Sequence, residues 1–375
     1  MKLIIFGLTL SSSWGNGHAT LWRGLVRALA RDGHAVVFFE RDVDYYARHR
    51  DLEFTDGATL ILYKTWDAVL ALARGHLAEA DAALVTSYCP DARAAASLIF
   101  EERAASLAVF YDLDTPVTLA RLDAGEEVSY LPEEGLADFD LVLSYAGGSA
   151  LDQMRQRLGA RRVAPLYGHA DPQLHHPVSN ATDVRADLSY LGTYAPDRQR
   201  ALEELFLAPA RRHPQMRFVI GGAGYPQEFP WLSNIWFVQH VPPPDHPVFF
   251  SSSRLTLNVT RADMVATGYC PSGRLFEAAA CGTPVISDAW PGIETFYTPD
   301  EEIVIASSAD QVSAALALSD SELARIGRNA REHTLDVHTS AHRARELISL
   351  LEEVAAARAP HTRGLSYVGN HSSGG

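Results

Sequence analysis

The chain reads as short, continuous apolar runs alternating with segments of helical spacing, and it does so twice. In the first half the runs fall at Leu3–Phe6, Ala35–Phe39, Thr59–Tyr63, Ala82–Thr86, Leu107–Tyr111, Asp140–Ser144 and Val163–Leu166. Most are unbroken by polar residues, which predicts parallel strands covered on both faces. Between the first two, Leu21, Trp22, Leu25, Val26 and Leu29 recur at helical spacing and predict a helix over His18–Arg31. Further helical patterns fall at Asp91–Glu102 and Ser149–Leu158. Alternation of this kind predicts an α/β fold with a doubly wound sheet.

A polar, proline-bearing stretch, Gly168–Arg185, breaks the pattern and reads as a linker and hinge. The alternation then resumes at Leu188–Leu191, Arg217–Gly221, Ile235–Val238, Leu255–Val259, Pro284–Ser287 and Ile303–Ala306. Helical patterns lie at Asp197–Arg212, Ser272–Cys281, Gln311–Leu318 and Ser321–Glu332, and a last helix at about Thr339–Ala357. Two Rossmann-like domains are therefore expected, residues 1–170 and 171–338, followed by a helix over 339–357 and a poorly ordered polar tail over 358–375.

Composition narrows the class. Of 375 residues, 47% are hydrophobic and 21% charged, a mixture that suits a soluble globular protein. No apolar run of about 18 residues exists, so no membrane span is expected. The short apolar start reads as a first strand rather than a signal peptide. Three cysteines, Cys89, Cys270 and Cys281, are too few and too scattered for a disulfide framework or a cysteine zinc site, and a cytoplasmic location fits. The formal net charge of −14 disfavours nucleic acid as a partner.

Three segments carry candidate chemistry. Ser11–Thr20 follows the first strand, and Gly15, Asn16 and Gly17 lead into His18 at the helix start. Glycines let the backbone approach a ligand, free N–H groups favour an anion, and the positive helix end favours a neutral imidazole at His18. A plain glycine turn with a capping histidine fits the spacing equally well. Thr20 stands where a dinucleotide fingerprint needs its third glycine, although Glu40 ends the second strand where a ribose-binding acid belongs. The second segment, Tyr111-Asp112-Leu113-Asp114-Thr115-Pro116, has three readings: a divalent-metal pair, a cleft role for Asp114, or Asp114 capping the next helix. The third runs from Asn258 to Arg261 and from Gly268 to Ile286. Arg274, Glu277 and Cys281 share a helix face, and Glu277 lies among Phe276 and three alanines. A carboxylate buried there needs a partner, either a ligand hydroxyl or Arg274 itself.

At this third segment the chain resembles the GT-B glycosyltransferases, and more narrowly the family that includes the spore maturation protein CgeB. The resemblance continues at Trp14–His18, Gly33-His34, Phe39–Asp42, Asp112–Pro116, Tyr190–Arg198 and Pro291–Glu294. It implies two Rossmann-like domains facing a nucleotide-sugar cleft, with an acceptor-side first domain and a last helix crossing back onto it. It implies a metal-independent transfer of a sugar, UDP-sugar being the first expectation, to an acceptor hydroxyl of a small molecule, glycan or protein. Glu277 would hold the donor ribose, and Arg261 and Arg274 the diphosphate. Ser272 and Gly273 would open the donor helix, and Gly192 and Thr193 would line the phosphate side. The strand end at Phe237–Val241, with His240 and Val241, would meet the nucleobase. Among the N-terminal residues, Gly15, Asn16 and Gly17 would face the donor, and His18 with Asp114 would serve acid–base chemistry.

The resemblance departs at Tyr269, where many members carry a second acid, and in a C-terminal half without lysine. That lack also argues against a pyridoxal-phosphate phosphorylase, which needs a lysine Schiff base. A nucleotide-sugar epimerase and a non-catalytic nucleotide-sugar binder of the same fold are the alternatives. No cofactor and no metal are expected.

Overall fold

The computed structural model describes residues 1–52, 55, 57–102, 106–179 and 184–358. The tail expected over 358–375 lies outside the described residues apart from Arg358, and so does part of the hinge segment Gly168–Arg185. The chain folds around two parallel sheets. The first holds β1 (Lys2–Gly7), β2 (Ala35–Arg41), β3 (Ala58–Tyr63), β4 (Ala82–Thr86), β5 (Leu107–Asp112), β6 (Leu141–Ser144) and β7 (Val163–Pro165). The second holds β8 (Leu188–Leu191), β9 (Phe218–Gly221), β10 (Ile235–Val238), β11 (Thr256–Asn258), β12 (Val285–Ser287) and β13 (Val304–Ile305). Their orders are β3-β2-β1-β4-β5-β6-β7 and β10-β9-β8-β11-β12-β13, so the same winding occurs twice.

The unbroken apolar runs follow from burial on both faces. In β1, Leu3 and Ile5 pack with Trp22, Leu25 and Leu29 of the helix His18–Arg31. Ile4 and Phe6 point the other way, toward Val69, Ala95 and Ile99. The last helix, Ser340–Arg358, lies against the first, and Ala344, Leu347 and Leu351 enter the core that contains Leu3. The C-terminal segment thus closes over the N-terminal sheet, and Arg358 donates to the Ser106 carbonyl at 2.8 Å.

One expected helix differs. Asp197–Arg212 is divided into a 3₁₀ turn at Pro196–Arg198, an α turn at Gln199–Leu202, a π turn at Glu203–Leu207 and an α turn at Ala208–Arg212. Pro209 has no N–H for the ladder and its ring crowds the preceding turn, which breaks regular α geometry there. Helices at Trp66–Leu77 and Thr115–Asp123, which the apolar pattern does not single out, complete the layers around the first sheet.

The two halves also touch through Tyr269. Its carbonyl accepts the Gly147 N–H at 2.9 Å, and its own N–H donates to Pro291. The ring fills the space where a Cβ on Gly148 or Gly292 would stand, within 2.5 Å in each case. Tyr269 therefore takes a packing role at the place where the related pattern has a second acid.

Candidate active site

In open α/β sheets the ligand crevice lies beyond the carboxyl ends of the strands, where the strand order reverses. Both sheets have that reversal, beside β1 and beside β8, and the loops leaving these strands face each other. Between them is a cleft of about 360 Å³. A narrower branch of about 40 Å³ continues from it past Gly192 and Val241.

The N-terminal wall is the loop after β1. Gly15 adopts a left-handed φ of 62°, Asn16 accepts the His18 N–H on its side-chain oxygen at 3.0 Å, and Gly17 precedes the helix. The amide nitrogen of Asn16 is buried beside the cleft without a partner. The loop is held from behind by Glu40, which is fully buried. Its carboxylate accepts from Thr9 Oγ1 at 2.9 Å, the Leu10 N–H at 2.7 Å, the Ser11 N–H at 2.9 Å and Ser11 Oγ at 2.5 Å. This corrects the ribose-acid reading of Glu40: its oxygens are occupied by the protein's own loop, and the dinucleotide interpretation loses its acid. Glu40→Ala orphans several buried donors, each costing about 1–3 kcal/mol. The variant is expected to unfold on the order of 10 °C below wild type in a thermal melt.

His18 begins the first helix with Nε2 3.8 Å from Asp114 Oδ2 and Nδ1 unpaired. Burial lowers its pKa from 6.5, only partly offset by the Asp114 charge, so the imidazole is neutral at pH 7. Asp114 occupies the N-cap position of Thr115–Asp123, yet its side chain makes no capping bond. It turns instead to the cleft and accepts the Tyr88 hydroxyl at 2.9 Å. Tyr88 holds a left-handed φ of 65°, unusual for a side chain of this size and often found at functional positions.

Asp112 does not share that cleft position. It is fully buried, and its Oδ1 accepts the Asp114 N–H at 3.0 Å. The pair is therefore arranged one behind the other, not as two ligands for one metal. Burial raises the Asp112 pKa to about 6. A raised carboxyl pKa means that the native state holds a proton the unfolded chain has lost, so stability falls as pH rises from about 4 to about 6. Asp112→Asn, neutral at every pH, is expected to be more stable than wild type at pH 7.5 by on the order of 1–3 kcal/mol in denaturant melts.

The C-terminal wall is cationic and contains one acid. Ser272 caps the helix Gly273–Ala280 by accepting the Arg274 N–H at 3.4 Å, so the helix start opens on the cleft beside Gly273. Arg274 and Arg198 both line the cleft, each with a buried Nε that has no partner. Arg261 lines it too and pairs through Nε with Asp197 Oδ2 at 3.0 Å. A Cβ added to Gly17 would lie 4.0 Å from Arg274 Nη1, which measures how closely the walls approach.

Glu277 is 7% exposed and lines the cleft. The Arg274–Glu277 pair considered for this helix is not among the ion pairs of the described residues. Glu277 Oε2 instead faces His246 Nδ1 at 3.4 Å. Burial by itself would raise the Glu277 pKa, but the proximity of His246, then of His175 and Arg274, holds it down at about 2. The carboxylate is ionised, and Oε2 has no close hydrogen-bond partner.

Gly192, His240 and Val241 line the narrow branch, and Thr193 borders both spaces. A side chain at Gly192 would collide with the Tyr190 hydroxyl, 2.6 Å from the Cβ position. His240 packs against Trp14 of the opposite wall at 4.6 Å, and Trp14 stacks on His49 at 4.4 Å. The Trp14 ring thus joins the two walls through His240.

Every residue singled out for donor or acid–base chemistry reaches this cleft or its branch. The sequence reading did not assign Arg198, His246, His169 or Tyr88. His169 lines the cleft with both ring nitrogens unpaired, and burial lowers its pKa to about 3. Among the described residues, the close group of potential metal ligands is His175, His246 and Glu277, with atoms within 4.8 Å of one another.

Residues 198–349 match a family model described as glycosyl transferase-like. No curated protein matches the chain in sequence. Solved structures match nearly its whole length. Sucrose-phosphate synthase from Thermosynechococcus elongatus aligns with a TM-score of 0.70 at 17% identity, covering 95% of this chain and 100% of that one. Anabaena HepE in complex with UDP-glucose aligns with a TM-score of 0.67 at 14% identity, covering 94% and 100%. An α-glucosyltransferase in complex with UDP-glucose and DNA containing an abasic site gives 0.67 at 12% identity, covering 94% and 99%. The chain has the GT-B fold. Within it, the segment that carries Arg261, Arg274 and Glu277 is the one that matches a glycosyl transferase-like sequence model.

Proposed function

We propose that this protein is a glycosyltransferase that moves a sugar, a hexose in the first instance, from a nucleoside diphosphate to an acceptor hydroxyl. The observation that carries the reading is the division of the cleft: three arginines and an ionised Glu277 on one wall, His18 with Asp114 on the other. A departing diphosphate needs positive charge, which Arg198, Arg261, Arg274 and the helix start at Gly273 can supply without a metal. The ribose hydroxyls find an acceptor in Glu277, and the base enters the branch by His240 and Val241. His18 then accepts the proton of the incoming hydroxyl, with Asp114 stabilising the imidazolium that forms.

UDP is the first donor nucleotide to test, since two fold neighbours are complexes with UDP-glucose. The finer resemblance to the CgeB-like family belongs to this proposal, as do a first domain over 1–170 on the acceptor side, a donor domain over 171–338 and a hinge between them. A cytoplasmic location does too, supported by three unpaired buried cysteines and by the lack of a membrane-crossing helix among the described residues. The acceptor is a small molecule, a glycan or a protein. The net charge of −14 weighs against nucleic acid, while one fold neighbour is a complex with DNA.

Incubation with UDP-hexoses and a panel of hydroxyl acceptors, followed by mass spectrometry, tests the reading. Free UDP together with a glycosylated acceptor is the expected result. An isomerised nucleotide sugar formed without acceptor would assign the site to an epimerase, and tight binding without turnover would assign it to a binder.

A further inference from the structure

His246 lies outside every motif considered above, in the proline-rich run Pro242-Pro243-Pro244-Asp245-His246-Pro247. It begins a short helix, His246–Ser251, and is 7% exposed. Its Nε2 stands 3.2 Å from the Val241 carbonyl, which belongs to the branch assigned to the nucleobase. Its Nδ1 stands 3.4 Å from Glu277 Oε2. Both neighbours are acceptors, so each ring nitrogen faces an oxygen to which an N–H can donate. The ring is steadied on its other side by His175, stacked at 5.8 Å.

These contacts leave the two oxygens of Glu277 with different surroundings. Oε2 faces His246, whereas Oε1 lies 3.8 Å from the Cβ position of Gly273, at the helix start that borders the cleft. Rotation of the carboxylate about its last bond would exchange them, and Arg274, one turn away, forms no ion pair that prevents it. His246 Nδ1 stands within reach of Oε2 without a bond formed between them, and a hydrogen bond closed across that 3.4 Å gap fixes this oxygen.

We propose that His246 is a positioning residue: anchored on the Val241 carbonyl, it orients Glu277 toward the ribose hydroxyls, so that the base branch and the ribose acid act as one unit. The inference rests on the donor-site reading and adds to it the group that aims the carboxylate.

A metal bound by His175, His246 and Glu277 is the competing account of the same three side chains. The hydrogen bonds oppose it. The Asp171 N–H points at His175 Nδ1 at 3.4 Å, so the neutral ring carries its proton on Nε2, the nitrogen left for coordination. A metal ligand there would need a lone pair instead.

The test compares UDP with 2′,3′-dideoxy-UDP, which has the same base and diphosphate but no hydroxyls for Glu277 to hold. Titration calorimetry is run on wild type, His246→Ala and His246→Asn, each checked for folding by circular dichroism. Asparagine places an N–H donor close to the position of Nδ1. His246→Ala is expected to weaken UDP about tenfold, the scale of a hydrogen bond to a charged group, and to change dideoxy-UDP less than about twofold. His246→Asn is expected to recover most of the UDP affinity. Equal losses for both nucleotides, or no loss for either, would overturn the inference while leaving the donor site standing. Zinc bound stoichiometrically by wild type and lost in His246→Asn would overturn it in favour of a metal site. Wild-type protein that bound neither nucleotide would remove the donor reading and this inference together.

Discussion

Glu277→Ala is expected to weaken UDP binding by about 100-fold or more, the largest loss for any single replacement on the donor wall. Two ribose hydroxyls bonded to an ionised carboxylate contribute roughly 1.5–3 kcal/mol each, and about 2.7 kcal/mol already corresponds to 100-fold. The loss has a second source. With Glu277 gone, Arg274 loses the nearby acid in a corner where its Nε already has no partner. Glu277→Gln keeps the volume and removes the charge, so it should fall between the two. Calorimetric titration of UDP reads the effect, and wild-type affinity in Glu277→Ala would mean that the ribose lies elsewhere.

His18→Ala is expected to lower kcat by roughly 100- to 10,000-fold with donor and acceptor saturating, while UDP affinity stays near wild type. The separation between turnover and binding follows from the geometry, since His18 and Asp114 sit on the wall opposite Glu277. The pH profile provides a second readout. Burial lowers the His18 pKa from 6.5, so the neutral base is present throughout the neutral range and the acid limb of kcat falls below pH 6.5. Asp114→Asn removes the charge that partly offsets this lowering, so the same limb should move to still lower pH. Nearly wild-type kcat in His18→Ala would end the base assignment.

Much of the fold could be read in advance, and the reasons are physical. The central strands of both sheets are buried on two faces, which turns them into apolar runs, whereas the edge strands β3 and β10 leave Leu62, Trp236 and Phe237 exposed. Helix ends were less legible: the pattern over Ser321–Glu332 missed the capping box of Ser319 with Glu322 that starts the helix Asp320–Val337. Harder cases were those in which one residue type serves several environments. Glu40 and Glu277 both end up buried, but one is filled by backbone N–H groups from a loop 30 residues away and the other is left open to the cleft. Asp114 satisfied the spacing of a cap, of a metal ligand and of a cleft acid. Only the direction of its side chain, toward Tyr88 and His18, separates the three.

His246 was illegible for a different reason. Its proline-rich surroundings read as a loop, and its contacts with Val241 and Glu277 arise where separate segments of the second domain converge. Arg198 likewise stands in a 3₁₀ turn at an irregular helix start, where no periodic pattern marks a residue as facing a ligand. The donor-wall residues Arg261, Arg274 and Glu277 were assigned through the motifs that carry the resemblance, whereas His246 and Tyr88, outside those motifs, required the folded chain.

A cleft that binds a nucleoside-diphosphate sugar is stabilised by that ligand. Thermal unfolding of the wild-type protein against UDP, GDP, ADP and dTDP, their common sugars and NAD tests it most directly. A ligand that binds only the folded state at about 100-fold over its Kd adds roughly 2.7 kcal/mol of stability, enough to move the midpoint by several degrees. A shift is expected with one nucleoside diphosphate and its sugars, UDP first, and none with NAD. A shift with NAD and with no nucleoside diphosphate would contradict it.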